Sequence, residues 1–249
     1  TDGATYFAHA LRRAEDKLDE IGWFQRHSLA TAPTYGSLFS RPEHSFVPRP
    51  LQRVVEEMIA TAPAGPTLLL IEAPMGEGKT EAALYAHCVL QARNAHRGLY
   101  FALPTQATGN AMFNRLRDFL ASRDIDHPID IQLAHGLAVL HPGFGDLRTA
   151  GFLVRGVDAA DSDEVSATLR ASAWFTAHRR ALLSEYGVGT VDQALVGVLP
   201  AKHHFVRLFG LANRVVVIDE VHAYDSYTSA LIAQLLRWLK ALGSSAVVM

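Results

Sequence analysis

One stretch of this 249-residue chain, Thr67-Leu-Leu-Leu-Ile-Glu-Ala-Pro-Met-Gly-Glu-Gly-Lys-Thr80, predicts its fold. Residues 67–72 predict a buried strand, and residues 79–95 predict a helix that ends before Gly98. Between them, residues 73–80 follow the pattern G-x-x-x-x-G-K-[ST], with Ala73 in place of the first glycine. A strand, such a loop and a helix in this order predict a phosphate-binding site.

The residue types in this loop suit a nucleoside triphosphate with Mg²⁺. Glycines let the backbone turn and bring its N–H groups to the phosphates, and the positive end of the following helix adds to that attraction. Lys79 would reach the outer phosphates as a catalytic cation, and the hydroxyl of Thr80 would bind Mg²⁺. The candidate nucleotide-binding residues of the loop are Gly76, Glu77, Gly78, Lys79, Thr80 and Glu81.

A second motif follows residues 214–218, which predict another buried strand because the last four of them, Val215–Ile218, are aliphatic. The chain continues there with Asp219-Glu220-Val-His222. In phosphate-loop NTPases an Asp at the end of such a strand holds Mg²⁺, and a neighbouring Glu can orient and deprotonate the attacking water. Together with the loop, the pair predicts ATP hydrolysis, in which Asp219 holds the metal with Thr80 and Glu220 is the base.

The remaining pattern alternates strands and helices, which predicts an α/β fold. Predominantly apolar strands separated by helices imply a mostly parallel sheet covered on both faces. Ahead of the sheet we expect an amphipathic helix over residues 5–21 and a proline-rich linker over residues 31–50. Residues 141–170, rich in Gly and Asp, predict a mobile insertion. The further predicted elements are helices over residues 51–60, 106–122 and 226–242 and strands over residues 99–103, 129–134 and 246–249.

Composition excludes several classes of protein. Hydrophobic residues make up 49% of the chain and the net charge is −2, so a basic surface for nucleic acid would have to be local. The single cysteine, Cys88, supports neither a disulfide framework nor a four-thiol zinc site, and we expect it in the core. No apolar run approaches the roughly 20 residues that span a bilayer, and no signal peptide is evident, so we expect a cytoplasmic protein without membrane contact. The chain lacks an initial Met and stops within a strand pattern at Met249, which favours a piece of a longer protein.

Further motifs accompany the acidic pair in a fixed order. Gln52 precedes the phosphate loop, while Pro104-Thr-Gln-Ala-Thr108 and Val188-Gly-Thr-Val-Asp-Gln193 lie between that loop and the DExH box of residues 219–222. In content and order these motifs resemble the first RecA-like domain of superfamily 2 helicases. The resemblance implies that Gln52 reads adenine, that the two intermediate segments grip the nucleic-acid backbone, and that His222 couples the nucleotide site to neighbouring motifs.

The sequences of several segments resemble one particular family within this superfamily. They are Ala107-Thr-Gly-Asn-Ala-Met-Phe113, Leu133-Ala-His-Gly136, Trp174-Phe175, Arg179-Arg-Ala-Leu-Leu183, Gly187-Val-Gly-Thr-Val-Asp-Gln-Ala-Leu195 and Val217-Ile-Asp-Glu-Val-His-Ala-Tyr-Asp225. As a set they resemble the helicase-nuclease of type I CRISPR systems over residues 50–249, and residues 1–45 resemble the connector after that family's HD nuclease domain. The resemblance implies a first RecA-like domain over residues 46–249, ending before the Ser-Ala-Thr motif, preceded by a helix and linker over residues 1–45.

The same resemblance implies an effector that a crRNA-guided surveillance complex recruits, that moves 3′ to 5′ along single-stranded DNA with ATP, and that cuts the DNA with its HD nuclease. The chain holds no His-Asp metal constellation, so we expect no nuclease activity from it. The HD nuclease and the second RecA-like domain would be further parts of the same protein. Because the arginine finger of the second domain is worth about 10³–10⁵ in rate, we expect this chain alone to hydrolyse little ATP.

Other polar and aromatic residues have both a functional and a structural interpretation. Short side chains after strands suit phosphate contacts on single-stranded DNA, but such residues also cap helices. His135 could contact DNA, couple to ATP or be a structural histidine. Trp174 and Phe175 could stack on bases or pack in the core, whereas Trp238 continues an apolar helix stripe and is expected in the core. The candidate DNA contacts are Thr105, Gln106, His135, Thr190 and Gln193.

Two other functions stay open. A different superfamily 2 motor, acting on RNA or in restriction, would keep the same ATP residues. Alternatively, the chain serves mainly as a docking platform for a protein partner. The excess of basic residues over residues 170–214 could line a DNA path or be a solvated surface, so it does not separate these functions.

Overall fold

The computed structural model describes residues 2–20, 28–123, 129–134, 169–170, 181–201 and 204–249. Its strands are β1 (Leu68–Leu70), β2 (Leu99–Leu103), β3 (Ile129–Ala134), β4 (Leu169–Arg170), β5 (Tyr186–Thr190), β6 (Val215–Ile218) and β7 (Ser245–Val248). Its α-helices are α1 (Gly3–Glu20), α2 (Tyr35–Phe39), α3 (Pro50–Thr61), α4 (Lys79–Asn94), α5 (Gln106–Ala121), α6 (Val191–Leu195), α7 (His204–Leu211) and α8 (Ser226–Ala241). The strands form a sheet in the order β1-β7-β6-β2-β5-β3-β4, and each neighbouring pair is parallel.

Helices cover the sheet on both faces, because most residues of its strands are apolar. β2, β3, β5, β6 and β7 are buried along their whole length, as expected for parallel strands between helices. One core layer contains residues of α3, α4 and α5, and the other contains residues of α6, α7 and α8. Successive residues alternate between the layers, with Phe101 and Val217 in the first and Tyr100 and Val216 in the second. The predicted α/β architecture is confirmed.

The predicted strands and helices agree with the structure within two residues at each end, but α2, β4, β5, α6 and α7 were not predicted. β4 pairs with β3 and occupies the last two residues of the segment that was predicted as a mobile insertion. β5 escaped prediction because Gly187 and Gly189 weaken the strand pattern. The two glycines make room for the ring of Tyr100 on the neighbouring strand. A Cβ on Gly189 would lie 2.5 Å from the Tyr100 hydroxyl oxygen, so only glycine fits there.

Residues 31–50, predicted as a linker, contain α2 and pack against the helices of the sheet. Tyr35 is buried and stacks on Tyr85 of α4 with 4.2 Å between ring centroids. Phe39 meets Phe119 of α5 at 5.7 Å, and Phe46 stacks on Tyr35 at 6.0 Å. These aromatic contacts outweigh the prolines of the segment and dock it on the domain. The chain therefore enters α3 in a defined position.

Two expectations about single core residues had different outcomes. Cys88 is fully buried, and burial raises the pKa of its thiol to about 12, so its place in the core is confirmed. The expectation for Trp238 is wrong, because its side chain is 42% exposed. The helix turns its buried stripe slightly away from Trp238. The buried residues of α8 are Ile232, Leu235 and Leu239.

Some of the predicted features lie outside the described residues. These are residues 141–168 of the predicted insertion, together with His135, Trp174 and Phe175. The N-terminal helix is present as α1, and Phe7 and Leu11 of its apolar stripe are exposed. Among the helices that the structure describes, none is long and apolar enough to cross a membrane.

His87 is a buried titratable group in the middle of α4. Its ring is inaccessible to solvent and meets Tyr186 of β5 edge-on, with 5.6 Å between ring centroids. Neither ring nitrogen has a hydrogen-bond partner among the described residues. Burial, and after it the nearby positive charges of His96 and Arg214, lower the pKa of His87 to about 3.

We predict that His87 makes the fold sensitive to mild acid. The unfolded chain binds a proton on this ring near pH 6.5 and the folded chain only near pH 3. His87 therefore does not reduce the free energy of unfolding well above pH 6.5, and it reduces this free energy progressively as the pH drops toward 3. The expected loss is about 2 kcal/mol between pH 7 and pH 5. Urea unfolding at the two pH values should show this loss in wild type and a smaller loss in His87→Leu, which retains the buried His96, whose pKa burial also lowers.

The matched control is His9→Gln, which removes a histidine from the exposed surface of α1. This variant should lose as much stability between pH 7 and pH 5 as wild type. If His87→Leu loses as much as well, the acid sensitivity comes from other groups and the prediction is wrong.

Candidate nucleotide site

A cavity of about 640 Å³ opens beyond the carboxyl ends of β1 and β6. Residues of both predicted motifs line it, although they are far apart in the sequence. From the phosphate loop and its surroundings these are Gln52, Gly76, Gly78, Lys79, Thr80 and Glu81. From the DExH box these are Asp219, Glu220 and His222. Glu77 is the predicted loop residue that does not line the cavity.

The phosphate loop adopts a conformation that depends on its glycines. Gly76 and Gly78 have φ angles of +84° and +79°, in the left-handed region that favours glycine. Gly78 is the N-cap of α4, so the amino end of this helix opens onto the cavity. Lys79 folds back across the loop and its Nζ donates to the carbonyl of Ala73 at 2.9 Å.

Gln52 lies behind the loop and joins it to the start of α3. Its side chain is 1% exposed. Its Oε1 accepts the backbone N–H of Arg49 at 2.9 Å, and its Nε2 donates to the carbonyl of Gly78 at 3.2 Å. A Cβ on Gly78 would lie 2.2 Å from that Nε2, so glycine is required for the contact. Gln52 thus holds the loop, a role that sequence reasoning missed, and its contact with adenine stays a prediction.

The acidic pair continues the hydrogen-bonding pattern of the sheet. Asp219 donates its backbone N–H to the carbonyl of Ala102 at 3.0 Å, and its Oδ1 accepts the N–H of Glu220 at 2.9 Å. Burial raises the pKa of the Asp219 carboxyl and the charge of Glu220 adds to this, whereas the N–H bond and the charges of Lys79 and Arg115 oppose it. The carboxylate is therefore partly desolvated and faces cations.

The cavity wall offers donors that fit Mg²⁺. The hydroxyl of Thr80 and the carboxylate of Asp219 are hard oxygen ligands, the type that Mg²⁺ prefers. Within the part of the chain that the structure describes, no cluster of three or more His, Cys, Asp or Glu residues could hold a metal by itself. Because Mg²⁺ is commonly bound by one or two carboxylates plus substrate phosphates, this sparse donor set fits an ion that arrives with a nucleotide.

Four residues of the cavity wall were not predicted. They are Phe46, Arg49, Met75 and Arg115. The guanidinium of Arg49 donates to the carbonyl of Gly76, and Arg115 donates to Glu81 at 2.6 Å and to the Thr80 hydroxyl at 3.3 Å. An aromatic and a basic residue just ahead of Gln52 could have been noticed in the sequence. Arg115 gave no such signal, since it reaches the site only through the packing of α5 beside α4.

The loop after β2 carries Thr105 and Gln106, two of the candidate DNA contacts. Thr105 is exposed and caps α5, because its hydroxyl accepts the N–H of Thr108 at 3.2 Å. Gln106 is the first residue of the helix and is exposed. The structural interpretation of Thr105 as a helix cap is therefore correct, and a DNA contact would be additional to it.

The loop after β5 lies beside this one, because β2 and β5 are neighbours in the sheet. Thr190 begins α6 but makes no side-chain capping hydrogen bond. The side-chain oxygen of Gln193 accepts a hydrogen bond from Arg207 at 2.8 Å. His135, the remaining candidate, lies outside the described residues. Thr105 and Thr190 thus occupy adjacent strand ends, and Gln193 has a structural partner.

Comparison with known proteins shows which family the chain resembles. No family model matches the chain. The chain is 53% identical over 246 residues to the CRISPR-associated endonuclease/helicase Cas3 of Thermus thermophilus, a match that covers 98% of the chain and 25% of that protein. The chain thus spans about a quarter of the length of this curated relative.

Solved structures give the same result. The crystal structure of T. fusca Cas3 with ADP matches 98% of this chain and 25% of its own, with 37% identity and a TM-score of 0.76. Further T. fusca Cas3 structures are complexes with AMPPNP and ATP. A CRISPR RNA-guided surveillance complex, pre-nicking, contains a chain that matches 81% of this one and 18% of its own, at 35% identity and a TM-score of 0.54. The predicted RecA-like helicase fold is confirmed.

Removal of the Gln52 side chain should destabilise the chain even without nucleotide. Gln52→Ala leaves the N–H of Arg49 and the carbonyl of Gly78 without this partner, at an expected cost of about 1–3 kcal/mol in urea unfolding. Val54→Ala, on the exposed side of α3, is the control and should change stability by no more than about 0.5 kcal/mol. Unchanged stability in Gln52→Ala would show that this residue does not hold the loop.

Proposed function

This chain belongs to the Cas3 family of CRISPR-associated endonuclease/helicases in the part of those proteins that it spans, and we propose that it is the ATP-binding half of a motor that moves along single-stranded DNA. The observation that carries the proposal is the cavity shared by the phosphate loop and the Asp219–Glu220 pair. Residues 46–249 would be the first RecA-like domain, and residues 1–45 the helix and linker ahead of it. The protein would act in the cytoplasm, in interference against foreign DNA.

Each residue of the cavity has a task in the proposed ATP hydrolysis. Lys79 would leave the carbonyl of Ala73 and donate to the outer phosphates as a charged donor. Thr80 and Asp219 would hold Mg²⁺, which neutralises phosphate charge when it is bound. Glu220 would orient the attacking water and accept its proton. The Cas3 complexes with ADP, AMPPNP and ATP support nucleotide binding at such a site.

Two residues would connect the nucleotide to the rest of the motor. Gln52 would read the adenine base while it holds the loop, with Phe46 and Arg49 on the same wall of the cavity. His222, which also lines the cavity, would couple ATP to the neighbouring motifs.

Full activity would need further parts of the protein. The arginine finger of a second RecA-like domain would stabilise the transition state, which contributes about 10³–10⁵ in rate. The isolated chain would therefore bind ATP and hydrolyse little of it. An HD nuclease domain would cut the DNA, and a crRNA-guided surveillance complex would recruit the whole protein. The similarity to a chain in a surveillance complex supports this last partner.

Single-stranded DNA would cross the adjacent ends of β2 and β5. Thr105 and Gln106 follow β2, Thr190 is the last residue of β5, and Gln193 lies in the helix after it. His135 follows β3 in the sequence. Hydroxyl groups, amides and loop N–H groups contact phosphate oxygens without reading the base sequence. Such contacts suit a motor that must pass over any sequence.

ATP with Mg²⁺ should protect the chain against unfolding. A ligand at a hundredfold excess over its Kd raises the free energy of unfolding by about 2.7 kcal/mol. Lys79→Ala should lose most of this protection, because the phosphates lose their cationic donor. Lys240→Ala, in the last turn of α8, should keep it. No protection of wild type by ATP with Mg²⁺, but protection by a protein partner, would favour the docking platform instead.

The DNA path is best tested at Thr190, whose hydroxyl makes no capping hydrogen bond. Thr190→Val keeps the side-chain shape and removes the hydroxyl. The variant should bind a labelled single-stranded oligonucleotide about threefold more weakly, as one lost hydrogen bond implies. Its stability in urea should equal that of wild type, and Thr61→Val at the end of α3 should bind as wild type does. Preference of wild type for a structured RNA would favour an RNA motor.

A further inference from the structure

Arg115 places a second guanidinium in the cavity, on the corner where Mg²⁺ is expected. The residue lies on α5 and lines the cavity together with Thr80 and Glu81 of α4. Its Nη2 donates to the Glu81 carboxylate at 2.6 Å, and its Nη1 donates to the Thr80 hydroxyl oxygen at 3.3 Å. The oxygen that is proposed to bind the metal thus accepts a hydrogen bond from a cation.

These two roles of the Thr80 hydroxyl conflict electrostatically. Mg²⁺ binds oxygen ligands at about 2.0–2.1 Å. With Nη1 at 3.3 Å from the same oxygen, the guanidinium nitrogen would lie no further than about 5.4 Å from the ion. That separation is shorter than a Debye length at physiological ionic strength, so salt would screen the repulsion only in part.

The Arg115 contacts are weak enough to exchange. The Arg115 side chain is 51% exposed and that of Glu81 27%, so water screens the ion pair. Ion pairs with this degree of exposure contribute little to stability, and breaking one contact of the pair costs little. The long side chain of Arg115 can also keep Glu81 while its other nitrogen leaves Thr80.

We propose that Arg115 is a positioning residue that occupies the Thr80 hydroxyl and yields it to Mg²⁺ when a magnesium nucleotide binds. The inference rests on the proposed nucleotide site and adds a residue to it. One positive charge replaces another at this corner, so Arg115 lowers the gain in nucleotide affinity that Mg²⁺ provides. Arg115 lies on α5, and Thr105, a candidate DNA contact, caps the same helix. The exchange therefore also changes one of the contacts that connect this helix to the phosphate loop.

The test compares the binding of a fluorescent ADP analogue to the chain in Mg²⁺ and in EDTA. The measured quantity is the ratio of the Kd in EDTA to the Kd in Mg²⁺. In Arg115→Gln this ratio should rise about two- to fivefold, the size expected when one partly screened charge contact is removed. The matched control is Arg117→Gln on the same helix, where Arg117 pairs with Asp118 away from the cavity. Its ratio should equal that of wild type.

A second variant separates exchange at Thr80 from a simple change of local charge. Arg115→Gln with Glu81→Gln keeps the local net charge of wild type but frees the Thr80 hydroxyl, so the ratio should stay raised. A return to the wild-type ratio would overturn the exchange. So would equal loss of affinity in Mg²⁺ and EDTA, which would show that Arg115 only supports the loop. No binding by wild type in either condition would instead refute the proposed nucleotide site, and this inference with it.

Discussion

Burial of a parallel sheet on both faces is the constraint on which the site depends. Parallel strands separated by helices must all end at the same edge, so every loop at the carboxyl ends faces one surface. β7 lies between β1 and β6 and sets the spacing between the phosphate loop and the acidic pair. The hydrogen bond from Val221 N–H to the carbonyl of Met249 continues this pairing past the strands. The cavity is therefore a consequence of sheet order as well as of the loop residues.

At this edge the backbone departs from ordinary geometry. Gly76 and Gly78 are left-handed at little cost, but Glu220 has a φ angle of +54°, which is unfavourable for a residue with a side chain. Such conformations persist where surrounding contacts determine them, and they cluster at functional sites. Here the N–H of Glu220 bonds to Asp219, and the adjoining turn is tied to Met249. The proposed base is thus held by the same contacts that hold the proposed metal ligand.

Local sequence was sufficient for features that depend on neighbouring residues. The predicted bounds of β2 and β3 match the structure residue by residue, and the pattern of the phosphate loop predicted its turn and helix. Local sequence was insufficient where contacts between elements far apart in the sequence determine the structure. Tyr100 explains why β5 tolerates two glycines, and the packing of α5 beside α4 brings Arg115 to Thr80. The prediction that Trp238 is buried was wrong, because an apolar stripe defines the buried face of a helix only to within about one residue of rotation.

The charges of the cavity wall argue for a site that is completed from outside this chain. Three cations, Arg49, Lys79 and Arg115, face three carboxylates, Glu81, Asp219 and Glu220. The net charge of this wall is close to zero, so its overall electrostatic potential would attract phosphates only weakly. Individual hydrogen-bond donors that point into the cavity would contribute more. Glu81 and the Gly76 carbonyl engage the two guanidinium groups, and Lys79 donates to the Ala73 carbonyl. In the proposed site Lys79 would leave that carbonyl and receive the phosphates together with the loop N–H groups. In the proposed phosphoryl transfer the developing charge would call for a further cation, and an arginine from a second domain would supply it without disturbing these contacts.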